Sequence, residues 1–152
     1  MRPKISIIIP MWGVEKYLSR CLDSVQNQTF KDWQAICVDD GSPDKSGEIA
    51  ESYAKKDKRF VVVHKKNGGL SDARNFGMNY ADGDYIMYLD SDDFIHPQTM
   101  EIAYKAITEN KSDIASFSYD RFYRPQLMVR HFLHMDTDNV VPFGIKKRYD
   151  LD

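Results

Sequence analysis

The chain has 152 residues, of which 42% are hydrophobic and 29% charged, and its formal net charge is -2. That length suits one compact domain with a real core, and that balance excludes a disordered or membrane-spanning chain. Near-neutral charge also excludes the broad basic footprint of a protein held by a phosphate backbone, so nucleic acid is not an expected partner.

Met1-Arg2-Pro3-Lys4 runs straight into Ile5-Ser6-Ile7-Ile8-Ile9, a β-branched run closed by Pro10 that reads as a strand buried on both faces. The lead is too short for a signal peptide, and no later apolar run reaches membrane-spanning length. From Val14 the period changes, and Val14, Leu18, Cys21, Leu22 and Val25 fall on one helical face. Ala35-Ile36-Cys37-Val38 is the next strand. It ends in Asp39-Asp40-Gly41-Ser42-Pro43, where Ser42 and Pro43 offer an N-cap and first-turn proline to a helix carrying Ile49, Ala50, Tyr53 and Ala54.

Phe60-Val61-Val62-Val63 is a third strand, followed by Gly68-Gly69 and a helix from Ser71 to about Ala81. Tyr85 to Leu89 is a fourth, and a helix from Pro97 presents Met100, Ala103, Tyr104 and Ile107 inward. Ile114 to Tyr119 reads as a fifth strand. No period persists beyond it, so residues 1–119 are read as one domain and 120–152 as an irregular tail or a truncated remainder. Cys21 and Cys37 lie in apolar settings without CxxC spacing, which points to small core residues in a reducing compartment. The expected location is the cytoplasm, with peripheral association at the inner membrane face left open.

Strands joined by helices run parallel, so the expected fold class is α/β, a mainly parallel, Rossmann-like sheet flanked by helices on both sides. Ligands of such sheets bind outside the carboxyl ends of the strands. That edge gathers Pro10 to Gly13, Asp39 to Ser42, the Gly68-Gly69 segment and Asp90-Ser91-Asp92-Asp93.

Three carboxylates in four residues repel one another unless a cation sits among them. Asp90 and Asp92, two apart on an extended segment, would share a side and address one ion; Asp93 stands beside them. Oxygen ligands alone favour Mg or Mn, which keep positions open for substrate phosphates. The competing reading is that one aspartate caps the following loop. Asp39 or Asp40 could accept hydrogen bonds from a base or ribose, or form an Asx turn. Trp12 could stack on a base or fill the core. Gly68-Gly69 with Arg74 offers helix-start N–H groups and a forked donor to phosphate, whereas Arg74 could equally pair with a neighbouring acid. None of the four histidines suggests a nucleophilic triad.

Taken in order, Ile5 to Pro10, Glu15-Lys16-Tyr17-Leu18, Ser24 to Phe30, Val38 to Asp44, Gly69 to Asn75 and Asp90 to Asp93 resemble family 2 glycosyltransferases with the GT-A fold, over roughly Lys4 to Tyr119. The resemblance implies inverting transfer of a sugar from a nucleotide-diphospho-sugar donor, most often a UDP-sugar, to a saccharide or other hydroxyl acceptor. It places Pro10, Trp12, Asp39, Asp40, Arg74 and Ser91 at the nucleotide-sugar, and a divalent metal, Mn or Mg, on Asp90, Asp92 and Asp93. The family commonly has Tyr-Asn where this chain has Trp12-Gly13. Its general base, an acidic residue in a later segment, has no recognisable counterpart among Asp120, Asp136, Asp138, Asp150 and Asp152. Two alternatives remain: a catalytically silent nucleotide-binding module, and a haloacid-dehalogenase-like phosphatase whose nucleophile loop also follows an apolar strand with Asp-x-Asp.

Overall fold

A computed structural model describes residues 2–117 and 143–147. In chain order the elements are β1 (Ile5–Met11), α1 (Glu15–Gln26), β2 (Trp33–Asp39), α2 (Ser46–Lys56), β3 (Phe60–His64), α3 (Leu70–Met78), β4 (Tyr85–Tyr88), α4 (Thr99–Glu109), β5 (Ile114–Phe117) and β6 (Phe143–Lys147).

They build one six-stranded sheet in the order β3-β2-β1-β4-β6-β5. The first four positions are parallel, and β6 runs antiparallel to both β4 and β5. The expected α/β class with a mainly parallel sheet is what the chain adopts. All seven residues of β1 are buried, which explains the unbroken apolar run: the strand is covered on both faces. Ile5, Ile7, Ile9 and Met11 face a core with Leu18, Cys21, Leu22 and Val25 of α1, Ala50 of α2 and Met100, Ala103 and Ile107 of α4. Ile8, Ile36 and Val38 face the opposite way, onto Ala73 of α3. Both cysteines are buried and reduced, and burial pushes the Cys37 thiol up to about 12.

Sheet order sets the site. The chain steps outward from β1 to β2 to β3 with helices on one face. It then returns through α3, on the other face, to β4 on the far side of β1. The reversal leaves a crevice at the carboxyl ends of β1 and β4, the switch point where ligands of such sheets bind. Close approach of α3 depends on Gly77, where an added Cβ would lie 2.7 Å from Ile8 Cγ2 and 3.0 Å from Val38 Cγ2. Gly77→Ala should therefore lower stability by about 1 kcal/mol, since overpacking costs about 2 kcal/mol and helix propensity returns about 1. A thermal melt checks it, with a fall of about 3 °C expected.

Several local expectations are corrected. Ser42 does not cap α2: the helix begins four residues later, the Ser42 hydroxyl turns to the Met11 carbonyl at 3.4 Å and its N–H to Asp39 Oδ1 at 2.9 Å, and Gly41 before it turns at φ +69°. The helix starts at Ser46, where Asp44 Oδ1 accepts from the Ser46 N–H at 3.0 Å and its hydroxyl at 2.6 Å. The α4 start moves from Pro97 to Thr99. There the buried Gln28 amide accepts from the Met100 N–H at 3.0 Å and donates to the His96 and Ser24 carbonyls at 2.7 and 3.0 Å. Within the stretch read as an irregular tail, residues 143–147 form β6, inserted between β4 and β5. Its short Phe-Gly-Ile-Lys-Lys sequence carries no strong period, and its place is set by the pairing edges of two earlier strands. Among the described residues no helix is long and apolar enough to cross a membrane.

Candidate functional site

Strand register brings the predicted residues to one edge. Met11 pairs with Asp39 and Asp39 with His64, so the ends of β1, β2 and β3 are level. Leu89 donates its N–H to the Ile8 carbonyl, which sets Asp90 beside Pro10 on the other flank. Pro10 is buried in β1, while Trp12 is 57% exposed, so its ring is not core filler and stands free at the rim. Gly13 behind it has φ +66° and turns the chain into α1.

Asp39 and Asp40 are buried at the end of β2, and both are engaged within the protein. Asp39 accepts from the Ser42 N–H through Oδ1 and from His64 Nδ1, at 2.9 Å, through Oδ2. Burial pushes its carboxyl up, but the bonds from Ser42 and His64 outweigh this and leave it below the ordinary carboxylate range. Asp40 Oδ1 accepts from Lys65 Nζ at 2.5 Å and the Gly68 N–H at 2.9 Å, and Oδ2 accepts from the Gly69 N–H at 2.8 Å. Here too burial raises the carboxyl, and these donors bring it below its usual range. Lys65 also pairs with Asp72 at 2.6 Å. The Gly68 and Gly69 N–H groups, expected to attract phosphate, thus turn inward to Asp40. One Oδ2 lone pair of Asp40 remains for a ligand.

Asp90 to Asp93 is a turn and not an extended segment, closed by the Asp93 N–H to the Asp90 carbonyl at 3.0 Å. Asp90 and Asp92 are therefore not set on one side by strand alternation. Asp90 Oδ1 accepts from Arg74 at 2.6 Å, which realises the ion-pair reading of that arginine, while Arg74 Nε is buried with no partner among the described residues. Ser91 is buried beneath the turn. Asp92 and Asp93 project outward, and among the described residues no hydrogen bond or ion pair occupies either carboxylate. Protein crowding first, then Asp92 and Asp90, push the Asp93 carboxyl above its ordinary range.

The counter-charges nearby are Arg74 and Arg20, whose guanidinium lies 4.6 Å from the Phe94 ring centre and donates to the Asp92 carbonyl at 3.1 Å. Among the described residues no three His, Cys, Asp or Glu side chains form a closed metal cage. One or two carboxylates without a protein partner could hold a magnesium or manganese ion only at an open site, where other ligands complete the shell.

Sequence reasoning did not find Arg20, His64 or Lys65. The last two leave the same edge directly after Phe60–Val63, so the carboxyl-edge rule applied to β3 could have found them. The acidic residues considered as a general base, Asp120, Asp136, Asp138, Asp150 and Asp152, lie outside the described residues.

Comparison with known proteins bears on the same residues. The sequence pattern of the family described as Glycosyl transferase family 2 matches residues 6–150. The uncharacterized glycosyltransferase EpsJ of Bacillus subtilis (strain 168) is 44% identical over 119 residues, 78% of this chain and 35% of that protein. Glycosyltransferase GlyA of Streptococcus pneumoniae serotype 4 is also 44% identical over 119 residues, which cover 17% of its length. The chain thus spans about a third or less of these relatives. Among solved structures, S. aureus TarS 1-349 in complex with UDP aligns with a TM-score of 0.74 and 27% identity, over 95% of this chain and 46% of that one.

Proposed function

The chain belongs to glycosyl transferase family 2, and from that premise we propose that it is the donor-binding portion of a metal-dependent glycosyltransferase that takes a UDP-sugar. The observation that carries the reading is the turn at the switch point: among the described residues no hydrogen bond or ion pair occupies the Asp92 and Asp93 carboxylates, and two arginines fix the turn from α1 and α3. Carboxylates left in this state are ready for a divalent ion and a diphosphate together.

Asp92, with Asp93 or Asp90 beside it, would hold Mn or Mg. The ion would neutralise charge on the departing diphosphate. Arg74 fixes Asp90 and brings a positive group to the same end of the crevice. Ser91 is buried within the turn, and Pro10 is the penultimate residue of the strand opposite. Trp12 offers its exposed ring to the base. Asp39 and Asp40, both held as carboxylates, present acceptors to base or ribose. A uridine nucleotide is favoured by the likeness to TarS, whose solved structure holds UDP.

Inverting displacement onto a saccharide or other hydroxyl acceptor is the reaction the family resemblance implies; its base would come from an acidic residue outside the described ones. An aspartyl-phosphatase reading is disfavoured by the family match over residues 6–150.

With Mn present, UDP at about ten times its Kd should stabilise the chain by about 1.4 kcal/mol, a rise of about 4 °C in melting temperature. UDP without metal should give much less. No shift at millimolar UDP and Mn would overturn the reading.

A further inference from the structure

His64 ends β3 and bonds two carboxylates at once, Asp39 of β2 through Nδ1 at 2.9 Å and Glu51 of α2 through Nε2 at 3.1 Å. Carboxylates in their charged state only accept, so both bonds form at once only when both ring nitrogens donate, in the imidazolium. Glycine at position 47 permits the arrangement, because a Cβ there would lie 2.7 Å from Asp39 Oδ2 and 3.3 Å from His64 Cε1. The ring faces an open cleft of about 580 Å³ lined also by Asp44, Glu48 and Lys55. Two acids besides its two partners and one lysine therefore surround it, a field that favours its charged form.

We propose that His64 is a positioning residue of the donor site: as an imidazolium it locks Asp39 between the Ser42 turn and α2, and so fixes the β2 rim on which the nucleoside rests. The proposal rests on the reading of that rim as the donor site. Asp39 has its two oxygens committed in different directions, one to the Ser42 N–H and one to His64, so rotation of its carboxylate breaks one of the bonds. Direct bonds from Asp39 and then Glu51 raise the His64 pKa above its ordinary value. The sign follows from that direction. The interaction is fully present below the unfolded-state pKa and is lost as pH rises through the raised folded-state value, when the neutral ring can donate to only one carboxylate.

The test compares wild type, His64→Gln and His64→Leu for binding of UDP with Mn from pH 5.5 to 8.5. Leucine should weaken binding about tenfold at pH 6, the loss of one charge-assisted hydrogen bond, and glutamine, which donates one N–H, should recover much of it. The wild-type advantage over glutamine should shrink as pH rises, and taking this difference cancels the titration of the nucleotide itself. Equal affinity of all three variants, or a leucine variant as good as glutamine, overturns the proposal. The ring resonances of His64 in the free protein give a readout independent of UDP. They should titrate above the ordinary histidine value and move down in Glu51→Gln. Titration at the ordinary value, unmoved by Glu51→Gln, overturns the tie itself; absence of UDP binding by wild type instead overturns the donor-site reading.

Discussion

Asp92→Ala is expected to abolish stabilisation by UDP and Mn and to lower sugar transfer by the longer enzyme about a hundredfold or more, while leaving the free chain's melting temperature nearly unchanged. The two halves of this result have one cause. Asp92 projects from the Asp90–Asp93 turn, and among the described residues its carboxylate has no protein partner. Removing such a surface group changes stability by about 0.5 kcal/mol or less. Relief of repulsion on Asp93, raised partly by Asp92, even favours the folded state slightly. A ligand of an open metal site has no substitute, however, because such a site takes only one or two carboxylates from the protein. Loss of charge stabilisation at a leaving group of this kind typically costs a factor of about 10² to 10³ in rate. Melting curves with and without UDP and Mn, beside turnover, separate the effects. Retention of the full shift by the variant would move the metal away from this turn.

Asp40→Ala should do the reverse, damaging the fold before the chemistry. Asp40 is 3% exposed and gathers Lys65 Nζ and the N–H groups of Gly68 and Gly69. Its removal strands two backbone donors in the loop that leads into α3, and Lys65 keeps only Asp72 and the Lys66 carbonyl. The expected loss is about 2 kcal/mol, or about 7 °C in melting temperature. Asp40→Asn, which keeps acceptor capacity on one side only, should fall between. A thermal melt of the three proteins checks the order, and an alanine variant as stable as wild type would contradict it.

The parts of the fold legible in the sequence are those whose burial is complete. Ile5 to Ile9 and Ala35 to Val38 have apolar groups on both faces and can be little else than central parallel strands, and the α1 face from Leu18 to Val25 follows from its spacing. Boundaries fail where a side chain does two jobs. Ser42 looks like a cap, yet its hydroxyl turns to the Met11 carbonyl, and Asp44 accepts from the first N–H of the helix, that of Ser46. Strand β6 escapes because Phe143–Lys147 takes its position from β4 and β5 and not from its own pattern.

The site divides in the same way. The acidic types and the edge they occupy were readable from local spacing. The shape of the turn and the ties of Asp39 to His64, Asp40 to Lys65 and Asp90 to Arg74 join residues 16 to 25 apart, and only the sheet order brings them together. Trp12 shows the limit most simply, since its ring could serve the core or a base and only its exposure at the rim excludes the core.

The central claim is that the turn at the switch point holds a metal together with a nucleoside diphosphate. Paramagnetic broadening by Mn tests it directly in the isotope-labelled chain. With UDP present, sub-stoichiometric Mn should broaden the backbone signals of Asp90 to Asp93 and of Arg74 first, and omission of UDP should weaken the effect. Broadening centred instead on the acidic cleft of Asp44, Glu48 and Glu51, and indifferent to UDP, would contradict the account.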